Sequence, residues 1–298
     1  MAGIDTNRTT AGVQLPPQLA SEIWSDAQEQ SFVMQRVPKV DLPGEGKIFQ
    51  TITGDGTAKF VAETGRKPVS NPTFGKKELR AHKIALVESF SDEFRRDKAA
   101  LFNALRHRMA GSISKTFDLA VLHGIDAPTS GFDNLSGVAS STLDSPAYDK
   151  FVAALQSVAA AGGDVDAWAL SGQGEAKVLL EKDTGGRPLF ISSMANDGQA
   201  GQILGRPTWR NKHVYQAATA DTAETLGFGG DWGSAMWGSV EGIKYEEYGG
   251  PIYADNGTLV HAGRQDNMFS VISEIEIGFI ARDLGRFFRF TGAAATGD

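Results

Sequence analysis

The sequence contains no cysteine. Disulfide bonds and thiolate metal sites are therefore excluded, and folding cannot depend on an oxidising compartment. It also lacks an apolar run of about 18 residues and a basic start followed by an apolar stretch, so it predicts neither a membrane-spanning helix nor a signal peptide. The sequence has 29 Lys and Arg residues and 36 Asp and Glu residues, which gives a net charge of −7. This balance argues against tight nonspecific binding of nucleic acid.

What the sequence does contain is one long amphipathic stretch, which predicts a helix over residues 91–123. Ser91 is a suitable N-cap, Asp92 and Glu93 place negative charge in the first turn, and Gly124 supplies a stop. The apolar residues recur at every fourth position: Leu101, Leu105, Met109, Ile113, Phe117 and Val121. Such a stripe drifts by about 40° per step on a helix of 3.6 residues per turn. We therefore expect the helix to meet different partners at its two ends, with Gly111 as a kink or a point of close approach.

Two segments have too little apolar content to fold alone. Residues 1–42 include an amphipathic segment, Leu19–Val33, flanked by prolines, and this arm needs a neighbour to pack against. In the second segment, the β-rich runs KIFQTIT and TAKFVAE flank a turn at Gly54–Gly56. An alternative interpretation places the second run in a long loop tip. ELRAHKIALVES then returns as a strand to the long helix. An isolated two-stranded ribbon is marginal in water, so this β-arm also requires a partner.

The pattern of residues 146–252 predicts a mixed α/β unit. The whole chain contains 35 glycines, which indicate many turns. Pro146 begins a helix that ends at Gly162, DAWALS is a short buried strand, and Ser171 caps a second helix to about Lys182. Strands follow near HVYQA, ETLGF, AMWGS and IKYEE. The last strands, 271–281 and FFRF, need a sheet to join, and we expect it to be the one that packs on the long helix. The α/β unit is then an insertion in an α+β chain.

Signals for an enzyme site are incomplete. GQGEAK opens a helix after a strand, but Lys177 replaces the third glycine of a dinucleotide fingerprint. Ser171 is flanked by Ala169 and Gln173 instead of the glycines of a nucleophile elbow, so helix capping is the better interpretation. The five histidines have no ligand-pair spacing, and we expect neither a metal nor a cofactor. Composition and spacing alone thus predict a protein with two unpartnered arms, which favours assembly.

The order of several segments resembles the major capsid proteins of tailed bacteriophages, which have the Hong Kong 97-type fold. FVAETGRKPVSNPTF is similar to the extended E-loop of that family, and ALVESFSDEFRRD to the strand that enters its spine helix. LLEKDTGGRPLF, QILGRPTW and GFGGDWGSAMW resemble parts of the axial A-domain. DNMFSVISEIEIGFIARDLGRFFRF resembles the closing strands of the peripheral P-domain. No single motif is decisive, but the order and spacing are specific.

The resemblance implies a domain layout for the α+β chain. Residues 1–42 would be an N-terminal arm, 43–80 the β-hairpin E-loop, 81–145 the P-domain with its spine helix, 146–252 an inserted A-domain, and 253–298 the closing P-domain strands. It also implies that the chain self-assembles as hexamers and pentamers into an icosahedral virion shell that encloses double-stranded DNA and forms in the host cytoplasm.

The expected partners are further copies of the chain, a separate scaffolding protein, a portal and decoration proteins. A separate scaffold is expected because the sequence has no room for a long scaffolding segment before the arm. No specific DNA binding and no membrane contact are expected. Two alternatives stay open: an encapsulin-like nanocompartment that encloses cargo protein, and an enzyme built around the turn at Ser171–Gly174.

Some members of the family crosslink their subunits through a Lys to Asn isopeptide bond that a Glu promotes. The matching residues here are Lys67 in GRKPVS, Asn267 in DNM and Glu274 in ISEIE, the last as the catalytic base. Apart from this self-catalysed step, no enzyme activity is expected. On a regular strand, the seven-residue separation of Asn267 and Glu274 would place them on opposite faces, where they could serve different partner subunits.

Overall fold

The computed structural model describes residues 30–52, 58–63, 65–71, 73–91, 98–144, 146–182, 199–219 and 222–292; within these ranges the side chains of 51–52, 98–107, 110 and 199–200 are not described. None of the described helices is both long and apolar enough to cross a membrane.

Four helices and fifteen strands make up the described regular structure. The helices are α1 Phe32–Arg36, α2 Lys98–His123, α3 Ala147–Ala160 and α4 Gly172–Leu179. The strands are β1 Lys39–Asp41, β2 Lys47–Ile52, β3 Phe74–Leu79, β4 His82–Ser91, β5 Ala139–Thr142, β6 Ala167–Leu170, β7 Gln199–Ile203, β8 Arg206–Arg210, β9 Thr225–Gly230, β10 Ala235–Ser239, β11 Lys244–Tyr248, β12 Ile252–Tyr253, β13 Leu259–His261, β14 Met268–Ala281 and β15 Phe287–Thr291.

The long helix α2 confirms the main expectation from the sequence. Met109 packs on Phe269 and Val271, and Ile113 packs on Ile243 and Ile275. Farther along, Phe117 and Val121 enter the largest apolar cluster of the described residues. The buried stripe therefore changes partners along the helix, as its angular drift predicts.

The helix α2 ends as the sequence predicts. Gly124 has φ +70°, and its amide donates to the carbonyl of Ala120 at 3.1 Å. This is the hydrogen bond of an αL cap, which glycine permits because it has no Cβ. The expected first turn at Asp92 and Glu93 lies outside the described residues.

Strand β14 organises the first sheet. One of its edges pairs with β4 over ten residue pairs, from Met268 opposite Ser91 to Ile277 opposite His82. Its other edge pairs with β11 and then with β10, which in turn pairs in parallel with β1. Because side chains alternate along a strand, Phe269, Val271 and Ile275 face α2, and the even-numbered residues of β14, Glu274 among them, form the opposite face.

The second sheet has the order β5-β15-β9-β6-β8-β7 and is covered on both faces. Phe228 and Phe287 face the cluster that contains the end of α2 and helix α1. Phe288 and Phe290 face a second cluster with Phe151 and Val158 of α3. This sheet therefore separates α3 from the long helix.

The described part of the N-terminal arm packs within its own subunit. Phe32, Val33 and Met34 of α1 are buried in the largest cluster. The expectation that the arm needs a neighbour is therefore wrong for α1, because the end of α2 and Trp232 supply the apolar surface it requires. The predicted continuous segment to Val33 is also interrupted, because Ser31 is extended at φ −79°, ψ 126° and caps α1.

The β-arm has a different pairing from the main expectation. Strand β2 pairs with β3, from Lys47 opposite Leu79 to Ile52 opposite Phe74. The run TAKFVAE contributes no strand within its described residues, which agrees with the alternative of a long loop tip. The predicted turn at Gly54–Gly56 lies outside the described residues.

Several local predictions for the α/β unit hold, and one fails. Pro146 precedes α3, strand β6 is fully buried, and the Ser171 hydroxyl accepts the amide of Gly174 at 3.0 Å. Helix α4 ends at Leu179, three residues short of the predicted Lys182. The predicted strand at HVYQA is wrong, because residues 212–214 form a 3-10 turn.

Membership of the two sheets does not follow the predicted boundary at residue 252. Strands β10 and β11, from inside the predicted insertion, pair with β14 in the first sheet. Strand β15, which contains FFRF and was expected in that sheet, pairs with β5 and β9 in the second. The physical reason is that pairing depends on which edges meet in space, and sequence order does not fix this.

Candidate assembly interface

The loop between β2 and β3 is the most exposed part of the described chain. Residues 58–63 and 65–71 belong to no strand, and all their side chains are exposed. Phe60 is 109% exposed and Val69 is 89% exposed. Phe74 and Ile48, on the ribbon below them, are also exposed. Exposed large apolar side chains are typical of surfaces that contact another protein chain.

In contrast, the base of this ribbon is firmly attached. Leu79 is fully buried against Leu42 and Ile280. The Lys77 ammonium donates to Asp133 Oδ2 at 3.0 Å and to the carbonyl of Ala281 at 2.8 Å. The ribbon thus leaves the body of the subunit in a fixed direction, which positions the exposed loop.

Within one subunit, the structure does not bring together the three residues of the predicted crosslink. Lys67 lies in the exposed loop, and Asn267 is exposed at the end of a 3-10 turn just before β14. Asn267 has left-handed backbone at φ 56°, so the expectation that it and Glu274 share one regular strand is wrong. Seven residues of extended chain correspond to about 23 Å, which keeps the amide and the carboxylate apart.

Glu274 already has a partner in its own subunit. Its carboxylate accepts from Lys83 Nζ at 2.8 Å, and this hydrogen bond raises the pKa of Lys83. Glu274 lies opposite Lys244 on one neighbouring strand and opposite Ala85 on the other. The face of the first sheet that points away from α2 is therefore half-exposed and charged around Glu274.

Sequence reasoning missed Asp118, the most highly connected carboxylate of the described chain. It is fully buried on α2 and accepts from the Ser31 hydroxyl at 2.6 Å and the amides of Phe32 and Val33 at 2.9 and 3.2 Å. It also accepts from Nδ1 of the buried His213 at 2.7 Å. Since a buried carboxyl group must be hydrogen-bonded, Asp118 fixes α1 and the 3-10 turn at His213 to the long helix.

A signal for Asp118 was present in the sequence. Its helical neighbours at i+3 and i+4 are Val121 and Leu122, so the acid lies beside the apolar stripe. A lone carboxylate at such a position requires buried partners.

A second buried polar cluster pairs a histidine with two serines. The amide of Gly263 donates to His261 Nδ1 at 3.0 Å, so the proton of a neutral ring lies on Nε2. Nε2 lies 2.9 Å from Ser89 Oγ and 3.2 Å from Ser270 Oγ. An Nε2 that donates cannot accept a serine proton, so the cluster fastens the β12–β13 hairpin to the first sheet instead of activating a nucleophile.

Ser171 also has a purely structural set of contacts. Its hydroxyl donates to the carbonyl of Leu226 at 2.8 Å while capping α4. Among the described residues, no group of three or more His, Asp or Glu side chains could hold a metal ion.

Comparisons with known proteins agree with the assembly features. The model of the phage capsid family matches residues 11–262. The "Probable major capsid protein gp17" of Mycobacterium phage D29 is 26% identical over 301 residues, which cover 95% of this chain and 91% of that protein. The protein of the same description from Mycobacterium phage L5 is 27% identical over 307 residues, with 95% and 90% covered.

Solved structures show the same fold. A structure from Gordonia phage Cozz has a TM-score of 0.72 at 20% identity and covers 89% of this chain and 87% of its own. One from Mycobacterium phage Ogopogo has a TM-score of 0.71 at 17% identity, with 89% and 92% covered. A third, described as "Capsid of empty GTA particle computed with C5 symmetry", has a TM-score of 0.64 at 14% identity, with 89% and 90% covered. Since the family model spans most of the sequence, the chain belongs to the phage capsid family.

Proposed function

We propose that this chain is a major capsid protein, which self-assembles as hexamers and pentamers into an icosahedral virion shell around double-stranded DNA. The observation that carries the proposal is the exposed loop at residues 58–71 on a ribbon whose base is fixed by Lys77 and Leu79. Phe60 and Val69 are exposed to water in this loop. Covering them with another chain lowers the free energy by about 25 cal/mol per Å² of apolar surface buried. Repeated copies of the chain supply such a cover in a symmetric assembly.

The domain names of the family can be placed on the elements as part of this proposal. Residues 43–80 serve as the E-loop and α2 as the spine helix, with the first sheet as the body of the P-domain. Residues 146–252 serve mainly as the A-domain, with β5 and β15 completing its sheet. The N-terminal arm, residues 1–42, is anchored through α1 to Asp118.

A net charge of −7 suits a shell wall that does not bind the packaged DNA tightly, because like charges repel. A separate scaffolding protein, a portal and decoration proteins are the further partners that the proposal includes, with assembly in the host cytoplasm. The matched relatives are phage proteins, which does not favour the encapsulin-like alternative.

The crosslink belongs to the same proposal. Lys67 Nζ, once deprotonated, attacks the side-chain carbonyl carbon of Asn267 of a neighbouring subunit; an amide bond forms and ammonia leaves. Glu274 accepts the proton that the attacking amine loses and passes it to the departing Asn267 nitrogen, which leaves as ammonia. The separation of the three groups within one subunit is consistent with a reaction between subunits.

Purification followed by light scattering and negative-stain microscopy tests the assembly proposal. We expect capsomers or closed shells, because the exposed loop has no apolar partner in the described subunit. A stable species of 31.8 kDa, the mass of one chain, across a wide concentration range would overturn the proposal.

A further inference from the structure

A pocket lies at the base of the β2–β3 ribbon, where the ribbon meets one end of β10 and of β14. It has a volume of about 550 Å³ and is lined by residues of these four strands and of the 3-10 turn Trp232–Ser234. We call it the ribbon pocket and define it by Phe49, Ser234, Met236, Ile280 and Arg282.

The apolar lining of the ribbon pocket belongs to the small core that anchors the ribbon. Ile280 is buried in a cluster with Leu42 and Leu79, and Phe49 and Met236 pack against this cluster while they remain partly exposed. An aromatic side chain placed in the pocket would therefore extend this core and remove apolar surface from water, which is favourable.

One cation of the pocket has no partner among the described residues. Lys77 pairs with Asp133, and Arg286 Nη1 donates to Asp231 Oδ2 at 3.0 Å. Arg282 is exposed, and its side chain has no ion pair or hydrogen bond within the described part of the chain. The ribbon pocket thus combines an apolar lining with one unpaired positive charge, which fits an aromatic residue close to a carboxylate.

The exposed loop provides this combination within four residues. Phe60 is fully exposed, and Glu63, also exposed, is the single acid of residues 58–71. Three residues of extended chain span at most about 11 Å. Ile280 and Arg282 are two residues apart, which corresponds to about 7 Å of extended backbone. Phe60 and Glu63 can therefore reach the apolar lining and the cation of one pocket together.

We propose that the exposed loop of a second copy of this chain occupies the ribbon pocket, with Phe60 on its apolar lining and Glu63 paired with Arg282. The inference rests on the proposed function, because it names the surface that covers the loop in the assembly. The loop of the same subunit is not the occupant, since its Phe60 is fully exposed. The ribbon also continues for three residue pairs, about 10 Å, beyond the pair of Phe49 with Lys77, and so carries its own loop away from the pocket.

This contact joins two different surfaces of the chain, which accounts for rings. The loop contains Lys59, Arg66 and Lys67 against one acid, so two loops repel each other and a contact between loops is disfavoured. A loop that enters the pocket of the next copy makes a heterologous contact, and such contacts close into a ring when the rotation between copies permits it. Hexamers and pentamers are rings of this kind.

The position of the pocket places the proposed crosslink on a further subunit. The pocket lies at the end of β14, whereas Asn267 precedes its start, and the 14 residues of this strand span about 46 Å. From Phe60 to Lys67 the loop reaches at most about 25 Å. A loop in the pocket of one copy therefore reaches Asn267 of another copy, so each loop contacts two neighbours.

Cysteine crosslinking tests the location of the loop, because the sequence has no cysteine to give background. Ala62→Cys and Ser234→Cys are combined in one chain, and the assembled protein is treated with a short bismaleimide and separated on a denaturing gel. We expect linked products of two or more chains, since the thiol beside Glu63 and the thiol in the pocket come from different copies. The matched control, Ala62→Cys with Ser239→Cys, moves the second thiol about 16 Å to the far end of β10 and should give roughly tenfold less product.

A yield no higher than that of the Ser239 pair, or a product confined to the mass of one chain, would overturn the inference. Electron microscopy and light scattering of the same samples keep it apart from the proposed function. Regular shells without the Ser234 crosslink would contradict only the location of the loop. A protein that stays at the mass of one chain would contradict the capsid function as well.

An exchange of charges tests the partner of Arg282. Glu63→Arg or Arg282→Glu alone should lower the yield of linked chains roughly tenfold, because each brings like charges together, and the two combined should restore it. Asp255→Arg is the control, since Asp255 is another exposed acid close to an exposed aromatic residue, Tyr253, and it should leave the yield unchanged. Loss of the crosslink in Asp255→Arg, or no recovery in the exchanged pair, would show that Glu63 is not the partner of Arg282.

Discussion

Trp168 shows how single residues determine the packing of the second sheet. Its ring is fully buried beside Phe151 and Phe290, with centroids 5.0 and 5.8 Å away, and its Nε1 donates to the carbonyl of Ile203. The neighbouring strand β9 makes room through Gly229, where a Cβ would lie 2.3 Å from the ring. The glycine run in this strand therefore serves close packing.

Gly229→Ala should consequently destabilise the subunit by about 1–3 kcal/mol, because the core cannot take up another methyl group without strain. Urea denaturation of the dissociated subunit measures this change. Gly172→Ala is the matched control, since a Cβ at Gly172 meets no atom within 4 Å. Equal stability of the two variants would contradict the packing argument.

His123, at the end of α2, makes the stability depend on pH. Burial lowers the pKa of His123 below its ordinary 6.5, and its Nε2 lies 3.0 Å from the carbonyl of His213. The nearby Arg289 also lowers this pKa, while Asp118 opposes the shift. The folded subunit therefore favours the neutral imidazole, whose Nε2–H donates to that carbonyl.

The sign of the effect follows from linkage. The unfolded chain binds a proton at about pH 6.5 that the folded chain takes up only at lower pH, so the free energy of unfolding falls as pH drops below about 6.5. His123→Gln keeps a donor for the carbonyl of His213 and removes the titration. We expect the urea midpoint of the wild type to fall more between pH 7.5 and 5.5 than that of His123→Gln. Parallel pH profiles would assign the dependence to other groups.

At the scale of elements, the ribbon β2–β3 combines a fixed base with an exposed loop. Its paired strands and the Lys77 contacts belong to the subunit, whereas the described residues 58–71 contribute to none of its apolar clusters. The base of this hairpin thus contributes to the fold of the subunit, and its loop is available for contact with other subunits.

Deleting residues 54–71 and joining the strands with an Asn-Gly turn should therefore preserve the fold and abolish shell closure. Circular dichroism would report the fold, and electron microscopy would report closure. Phe60→Ser with Val69→Ser should weaken closure in the intact loop, while Ser70→Ala should not. Regular shells from the deletion variant in normal yield would show that the loop is not the contact between subunits.

At the scale of the whole molecule, the crosslink predicts a chemical property of the mature shell. Particles boiled in denaturant should give a ladder of linked subunits, because each subunit offers both Lys67 and Asn267 to its neighbours. Lys67→Arg or Asn267→Asp should remove the ladder, and Glu274→Gln should slow its appearance. Lys59→Arg, in the same exposed loop, is the control and should keep it. A single band at the monomer mass from mature wild-type shells would leave the three residues without a covalent role.

Local features of this protein were predictable because their causes are local. The apolar spacing and Gly124 define most of α2, Ser171 caps α4, and the apolar run at 167–170 defines β6. Each depends on residues within one or two turns of one another, so the sequence alone contains the necessary physics. The exposed loop was predictable in the same way, since its prolines and polar residues resist regular structure.

Contacts between residues far apart in the sequence depend on how the elements pack. Asp118 meets His213 over 95 positions of sequence, and β15 leaves the sheet of β14 to pair with β5 and β9. Hydrogen bonds between strand edges are nearly independent of sequence, so the edges that pair are those that the packing of α2 and α3 brings together. Local sequence thus accounts for most of the long helix, the helix caps and the exposed loop, whereas packing accounts for the pairing of the sheets, the extent and burial of α1, and the separation of Lys67, Asn267 and Glu274 within one subunit.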